Sequence, residues 1–405
     1  MEDFNGMEEP GKPKMVVLAG PNGSGKSTVT RGLRQSEEFP HNYINADDIT
    51  KTLEAPVADR ATRDRYAATI EPNMPDLPWY AQIAKLEKRL TQEEVGGYLA
   101  GGVERTDLRN AFGAILADDQ RKQALAGHGD FAFETVMSTQ GKLAMFDEAR
   151  NKGYDVDMVF VTTESSLINR QRVLNRVQEG GHAVEPEKIV ERYNRAMGML
   201  PAALGMVDTA SVYDNSYSQP VLVATKQNGV ITFPELQAPK FEHDPTKPGS
   251  RDLAEWSHKE EWDSQLRDMS QWVKEKIQAP VEARQASMDS MRDTYKNIEH
   301  ASIEDKSATH GRIVLINDVH VLQYDREREK FVVHDRSLLT PGVIPALESA
   351  RDSGKDVNIA YQYGPDSKLV DQNKALHKSP ELTEAALDRY MFDPSSREEP
   401  KPRHM

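Results

Sequence analysis

The stretch Met15–Thr28, MVVLAGPNGSGKST, decides how the rest of this chain is read. Met15 to Ala19 is a short apolar run of the kind that forms a buried parallel strand. Gly20, Pro21, Asn22, Gly23, Ser24, Gly25, Lys26, Ser27 and Thr28 follow it in the spacing of a phosphate-binding loop. Glycines let the main chain wrap closely around a phosphate, so that successive N–H groups point at its oxygens. Lys26 is placed to reach the β- and γ-phosphates of ATP, and the Ser27 hydroxyl to ligate Mg²⁺. A helix expected from about Ser27 adds its positive end to the anion site. A glycine-rich turn without a ligand is the bland alternative.

Outward from this loop, strands alternate with helices. Tyr43–Asn45, Asp130–Phe133, Val156–Val161, Ser211–Tyr213 and Val221–Ala224 read as strands. The stretch from Asp47 to Gly127 reads as mostly helical and broken at Pro72, Pro75 and Pro78; its best helix carries Leu108, Phe112, Ile115 and Leu116 on one face. Gly141–Asn151 reads as a helix, and two more flank Gly180–His182. The alternation predicts an α/β domain, a parallel sheet flanked by helices. Its expected limits are residues 14–239, after a flexible stretch at 1–13. A linker at 240–251 leads to a helical connector at 252–310, where Leu253, Trp256, Trp262, Leu266, Met269, Val273 and Ile277 form an apolar stripe. That stripe packs on a neighbouring domain or serves a partner. A small β-rich module follows at 311–370, with strands at Ile313–Ile316, His320–Gln323, Phe331–His334 and Val357–Tyr361, and then a helical or disordered tail at 371–405.

Composition bounds the function. The 405 residues carry 65 Asp plus Glu against 51 Lys plus Arg, a net charge of −14, which argues against coating nucleic acid. A local basic cleft stays open. With no cysteine, disulfides, thiolate metal sites and thiol catalysis are excluded. No run reaches the roughly 18 apolar residues of a membrane span, and the N-terminus has no apolar leader, so a cytoplasmic location is expected.

Carboxylates and arginines at the strand ends are the remaining candidates. Asp47 and Asp48 follow the second strand; either could take a proton from an attacking hydroxyl, and either could instead cap the next helix. Glu134, with Thr135 beside it, follows the third strand at the edge where ligands bind in open α/β sheets. A carboxylate there can accept from two acceptor hydroxyls. Arg170, Arg172 and Arg176 precede Gly180–His182, and Arg192 and Arg195 follow it. They form either a charge-neutralising flap or a solvated helix face. His182 reads as a ligand contact or a locally bonded loop histidine. His320 and His334, without a third partner, read as hydrogen-bonded core histidines rather than metal ligands.

Taken in order, GPNGSGKST, INADDI, FAFETVMS, RQRVLNRVQEGGHAVEPEKIVERY and YDNS resemble the zeta toxin family of P-loop kinases, over about Lys14 to Thr232. The resemblance implies ATP- and Mg²⁺-dependent phosphorylation of a hydroxyl on a nucleotide-linked small molecule. UDP-N-acetylglucosamine is the leading acceptor; NAD is another. It implies Asp47 as catalytic base and Lys26, Arg172 and Arg176 as catalytic cations, with Glu134, Thr135, Asp48 and Arg192 at the acceptor. Toxin function and an antitoxin partner come with it. GRIVLINDVHVLQ, VVHDRSLL and SGKDVNIAYQYG, over about Gly311 to Val370, resemble the KfrB domain of plasmid-associated proteins. That favours a second class of function, an ATP-switched interaction protein of plasmid maintenance or conjugation; a kinase of nucleic-acid ends is a third. Two features depart from compact zeta toxins: the helical insert at about Asp59 to Gly102, where an acceptor could enter, and the long C-terminal extension. If that extension shields the ATP site in cis, deleting the chain after Pro239 raises kinase activity and toxicity; unchanged values count against shielding.

Overall fold

The computed structural model describes residues 11–74, 90–178, 184–217, 220–236, 267–303, 308–339 and 341–361. They fall into two compact units, one within Met1–Lys274 and the other within Glu275–Tyr363. The expected linker at 240–251, the tail at 371–405, Gly180–His182, Pro75, Pro78, Leu253, Trp256, Trp262 and Leu266 lie outside the described residues.

The first unit is built on seven strands: β1 Lys14–Ala19, β2 Asn42–Ile44, β3 Phe131–Thr135, β4 Asp155–Thr162, β5 Thr209–Asp214, β6 Val221–Gln227 and β7 Val230–Thr232. Their order is β2-β3-β1-β4-β5-β6-β7. The first five are parallel, and β6 and β7 extend the edge antiparallel. The apolar run that opens the phosphate loop is the central strand. Met15, Val17, Leu18 and Ala19 are wholly buried because helices cover both faces of a parallel sheet. Each such burial is worth about 1.5–3 kcal/mol for a valine- or leucine-sized chain.

Among the described residues eight helices accompany the sheet: α1 Lys26–Val29, α2 Ala46–Thr52, α3 Arg60–Asn73, α4 Gln92–Gly101, α5 Thr106–Ala126, α6 Gln140–Asn151, α7 Ser166–Gln178 and α8 Pro186–Met206. Helix α1 is shorter than the loop motif led one to expect. Thr28, Val29 and Thr30 are β-branched, Gly32 follows, and the Thr30 hydroxyl donates to the Lys26 carbonyl at 2.8 Å, so the helix gives way to a 3₁₀ turn at Leu33–Gln35. β3 runs two residues further than expected, so Glu134 lies within its last turn of pleat rather than beyond it.

The insert is a helical layer with its own core. Ile70, Met74, Val95, Leu99, Leu108 and Phe112 meet there, together with Leu53 from the end of α2. Helix α4 starts on a complete capping box between Thr91 and Glu94. Pro72 sits in the last turn of α3 without breaking it. α5 packs against α2 at Gly113, where a Cβ would strike the Thr50 hydroxyl and crowd the Ala46 carbonyl. Among the described residues no helix is long and apolar enough to cross a membrane.

The second unit has five strands: β8 Ile298–His300, β9 Ala308–Ile316, β10 His320–Asp325, β11 Lys330–Asp335 and β12 Asp356–Ala360, in the order β12-β9-β10-β11-β8. Helix α9, Ala279–Thr294, contributes Met288 and Met291 to its core. A second helix, α10 Ile344–Asp352, packs on β9, so the expected β-rich module is α+β. Its stripe of Ile344, Leu347 and Ala350 is too short to stand out as helical periodicity in sequence. Met269, Val273 and Ile277, the described part of the expected stripe, are buried. Both histidines are hydrogen-bonded, as expected. His334 Nδ1 lies 2.9 Å from the Tyr361 hydroxyl, with Nε2 3.2 Å from Gln323 Oε1, and burial holds its pKa down to about 3. His320 Nδ1 lies 2.8 Å from the Ser287 hydroxyl, and burial lowers its pKa to about 4.

The tight α2–α5 crossing yields a prediction. Gly113→Ala should cost about 1–3 kcal/mol through overpacking, read as a lower urea midpoint. Adding Thr50→Ala, which removes the struck hydroxyl, should recover part of the loss.

Candidate active site

The carboxyl ends of the five parallel strands border one crevice, the place where open α/β sheets bind ligands. The loop after β1 is held there by close main-chain packing. Gly20, Gly23 and Gly25 have φ of +141°, +79° and +87°. A Cβ on them would strike, respectively, the Val161 carbonyl, the Asn169 carbonyl and the Asn215 side-chain amide. Two asparagines clamp the loop from neighbouring elements. Asn169 of α7 donates to the Asn22 carbonyl at 2.8 Å, and Asn215, just past β5, donates to the Ser24 carbonyl at 2.8 Å. Asn169 is itself fixed by a hydrogen bond from the Thr163 hydroxyl. Arg192 of α8 reaches Asn22 Oδ1 at 3.5 Å.

Lys26 folds back over the loop, its ammonium donating to the carbonyls of Gly20 at 2.7 Å and Pro21 at 3.2 Å. Burial lowers its pKa, the Glu134 and Asp47 carboxylates oppose that, and Arg176 adds to the lowering. The three groups that act on Lys26 thus come from three other elements, α2, β3 and α7. The loop's donor set suits a nucleotide phosphate: its glycines leave the main chain uncovered, and the Ser24 hydroxyl is buried without a hydrogen-bond partner. Ser27 and Thr28 are exposed at its helical end. Among the described residues no three His, Cys, Asp or Glu side chains gather as a metal site; by the loop motif it is the Ser27 hydroxyl that would hold Mg²⁺ together with the nucleotide's own phosphates.

On the β2 side a chain of hydrogen bonds arranges the carboxylates. Asn45, not Asp47 or Asp48, caps α2, accepting the Asp47 N–H at 2.9 Å. This leaves the Asp47 carboxylate exposed in the first helical turn and outside the cap. Asn45 also donates to the Tyr43 hydroxyl at 3.2 Å, which donates to Glu134 Oε1 at 2.6 Å. Burial and the Glu134 carboxylate raise the Tyr43 pKa, keeping the phenol a donor. Asp48 is turned to Lys51 at 3.2 Å. Thr135 is buried; its hydroxyl accepts the Met137 N–H at 3.0 Å and its carbonyl accepts the Gly20 N–H at 3.2 Å, so it joins the turn after β3 to the phosphate loop.

The candidate arginines separate. Arg172 donates to the Ser216 carbonyl at 3.2 Å, whereas Arg176, one turn along α7, acts on Lys26. Arg170 is exposed, and Arg195 pairs with Glu191 at 3.1 Å. Tyr43, Asn45, Asn169 and Asn215 were not singled out from the sequence. The polar strand-end segments INADDI and YDNS were the only signal for Asn45 and Asn215; Tyr43 stood only as the first residue of the expected second strand, and Asn169 had no signal.

Asp214, at the end of β5, is wholly buried. It accepts from the Ser216 N–H at 3.0 Å and hydroxyl at 2.9 Å, yet burial raises its pKa to about 6. Its folded pKa lies above the unfolded value, so its protonation stabilises the fold at low pH and that contribution disappears as pH rises from about 4 to about 6, by about 3 kcal/mol at most. Asp214→Asn should therefore flatten this segment of the stability profile relative to wild type, as measured by urea unfolding at pH 5 and pH 7.5.

Comparison with known proteins gives matches at two scales. Residues 308–365 match the family model of the KfrB Domain, in agreement with the resemblance read at 311–370. No curated protein matches the sequence. Similar solved structures include one from the PezAT chromosomal toxin-antitoxin system of Streptococcus pneumoniae, at 14% identity and a TM-score of 0.32, covering 54% of this chain and 75% of that one. The AvrRxo1-ORF1:AvrRxo1-ORF2 structure with sulphate ions matches at 12% identity and a TM-score of 0.34, covering 55% of this chain and 61% of that one. The same pair with ATP matches at 12% identity and 0.34, covering 55% and 60%. The chain thus spans about three fifths of the matched AvrRxo1 chains. The fold assignment rests on the strand order itself, a parallel P-loop sheet flanked by helices with a separate small sheet toward the C-terminus.

Proposed function

We propose that this chain is an ATP-dependent kinase of the zeta toxin type, transferring the γ-phosphate to a hydroxyl of a small nucleotide-linked acceptor, with UDP-N-acetylglucosamine the leading candidate. The observation that carries this reading is a glycine-lined phosphate loop with Lys26 folded over its carbonyls and, at the neighbouring strand ends, Asp47 left outside the helix cap and Glu134 held by Tyr43. In this mechanism the acceptor oxygen forms a bond to the γ-phosphorus while the bond from that phosphorus to the β-bridging oxygen breaks. The hydroxyl proton passes to the Asp47 carboxylate, and ADP departs. Glu134, steadied by Tyr43, accepts from acceptor hydroxyls and holds the reacting one in line. Lys26 and Arg176 offset charge on the moving phosphoryl group, and Arg172 and Arg192 hold the surrounding turns. Mg²⁺ at Ser27, when bound, neutralises the phosphate oxygens.

The physiological role in this reading is that of a toxin, with an antitoxin protein as partner. The KfrB match at 308–365 supports a second reading, an ATP-switched interaction protein of plasmid maintenance. The two differ in chemistry. Incubation with ATP, Mg²⁺ and a panel of UDP-N-acetylglucosamine, NAD, nucleosides and oligonucleotide ends should give one acceptor a mass gain of one phosphate. Asp47→Ala should lower kcat by about 10²-fold or more with ATP affinity unchanged. Full transfer by that variant would remove Asp47 as base; tight ATP binding without transfer to any acceptor would favour the switch.

A further inference from the structure

The first unit extends to Lys274, beyond the expected kinase limit at residue 239. Its last described stretch, residues 267–273, is helical. Met269, Trp272 and Val273 recur at three- and four-residue spacing, which sets them on one side of that helix. Met269 and Val273 are buried and Trp272 is half-buried, whereas Arg267, Asp268, Ser270 and Gln271 are exposed. The segment thus packs by one face.

That face meets the support of the phosphate loop. The Trp272 indole N–H, a group that can only donate, hydrogen-bonds the Tyr193 hydroxyl of α8. Tyr193 donates to the Thr163 carbonyl at 2.6 Å. The Thr163 hydroxyl donates to Asn169 Oδ1, and Asn169 donates to the Asn22 carbonyl of the loop at 2.8 Å. These four hydrogen bonds run in series from Trp272 to the loop. Thr163 and Asn169 are wholly buried, and Tyr193 nearly so. A buried chain of this kind keeps its shape only when each member is bonded, since a lost partner leaves the next group unsatisfied away from water.

The segment reaches the second clamp as well. The Asp268 carboxylate lies near enough to act on Glu164 and Tyr217. The Tyr217 hydroxyl shares its hydrogen between the two Glu164 oxygens, 3.0 Å from each, and the Glu164 N–H donates to the Ser216 hydroxyl at 2.7 Å. Ser216 directly follows Asn215, whose amide holds the Ser24 carbonyl. The turns after β4 and β5, next to the two clamping asparagines, are those that the segment meets.

We infer that residues 267–273 complete the nucleotide site, with Trp272 a positioning residue that holds the phosphate loop in its binding shape through Tyr193, Thr163 and Asn169. This rests on the reading of the loop as a nucleotide site given above. It gives the chain beyond residue 239 a supporting role at that site, opposite in sign to shielding.

A double-mutant cycle on the full chain tests the series, with AMP-PNP and excess Mg²⁺ titrated by calorimetry. Trp272→Phe keeps the aromatic bulk and removes the N–H; Tyr193→Phe removes the next hydroxyl. Each should weaken AMP-PNP binding by about threefold to tenfold. The double variant should bind as weakly as either single one, because a series already broken has nothing more to lose. A merely structural role would lower the urea midpoint measured without nucleotide and leave the affinity of the folded protein alone. AMP-PNP affinity within about twofold of wild type in both single variants would therefore overturn the role of Trp272, whatever the midpoint does. Losses that multiply in the double variant would overturn it too. If Trp272→Phe does not fold, Tyr193→Phe decides by the same comparison of affinity with midpoint. Failure of wild type to bind AMP-PNP would instead overturn the nucleotide reading, and the role of the segment with it.

Discussion

Parallel pairing of β1 with β3 on one side and β4 on the other is the constraint on which the candidate site depends. It brings the carboxyl ends of strands far apart in sequence into line, with Ala19 opposite both Thr135 and Phe160. Main-chain bonding continues past the strand ends. The Gly20 N–H donates to the Thr135 carbonyl at 3.2 Å and the Asn215 N–H to the Thr162 carbonyl at 2.8 Å. The phosphate loop is therefore joined to the ladder rather than hanging from it. Each such bond is worth only about 0.5–1.5 kcal/mol net. Their effect is geometric: they fix where loop N–H groups and side chains from separate strands can stand.

Around that frame, polar side chains do what the backbone cannot. Asn169 and Asn215 hold two loop carbonyls, which leaves the loop's shape dependent on α7 and on the end of β5. The carboxylates are ordered differently. Asn45 takes the capping role, Tyr43 takes one oxygen of Glu134, and Asp47 is left outside both tasks. The insert enters here through packing. Its buried core reaches Leu53 and takes in Leu108 and Phe112 of α5, the helix that presses on α2 at Gly113, so the position of Asp47 is set partly by residues more than sixty positions away.

The second unit follows another rule. Its sheet buries Thr309, Gln323, His334 and Tyr361 together, with Gln323 donating to the Val357 carbonyl at 2.9 Å and the Thr309 hydroxyl 3.3 Å from His334 Nε2. Such a network is tolerable only when its members are bonded. Neutral His334 satisfies that condition, since a buried imidazolium would lack a counter-charge. Gly311 completes the arrangement: a Cβ there would strike the Tyr324 carbonyl on the adjacent strand.

The phosphate loop was legible because its chemistry is local. Glycines, lysine and serine at set spacing, after an apolar strand, require no distant partner to be recognised. The alternation of strands and helices was legible for the same reason, and so was the candidate status of Asp47 and Glu134 at strand ends. Element lengths were less so: α1 stops early because Thr30 and Gly32 undercut it, and α10 and β8 are too short for periodicity to register. What Asp47 and Asp48 each do was undecided in sequence, since either carboxylate can cap a helix; in the structure Asn45 takes that task. Nor could sequence join Tyr43 to Glu134, or separate Arg172 from Arg176. The sequence by itself determined that a phosphate loop opens a parallel α/β sheet, because that signal lies within fourteen consecutive residues. Only the tertiary structure decided which carboxylates, amides and arginines share its crevice, because those contacts join residues as much as 191 positions apart through packing that no local pattern encodes.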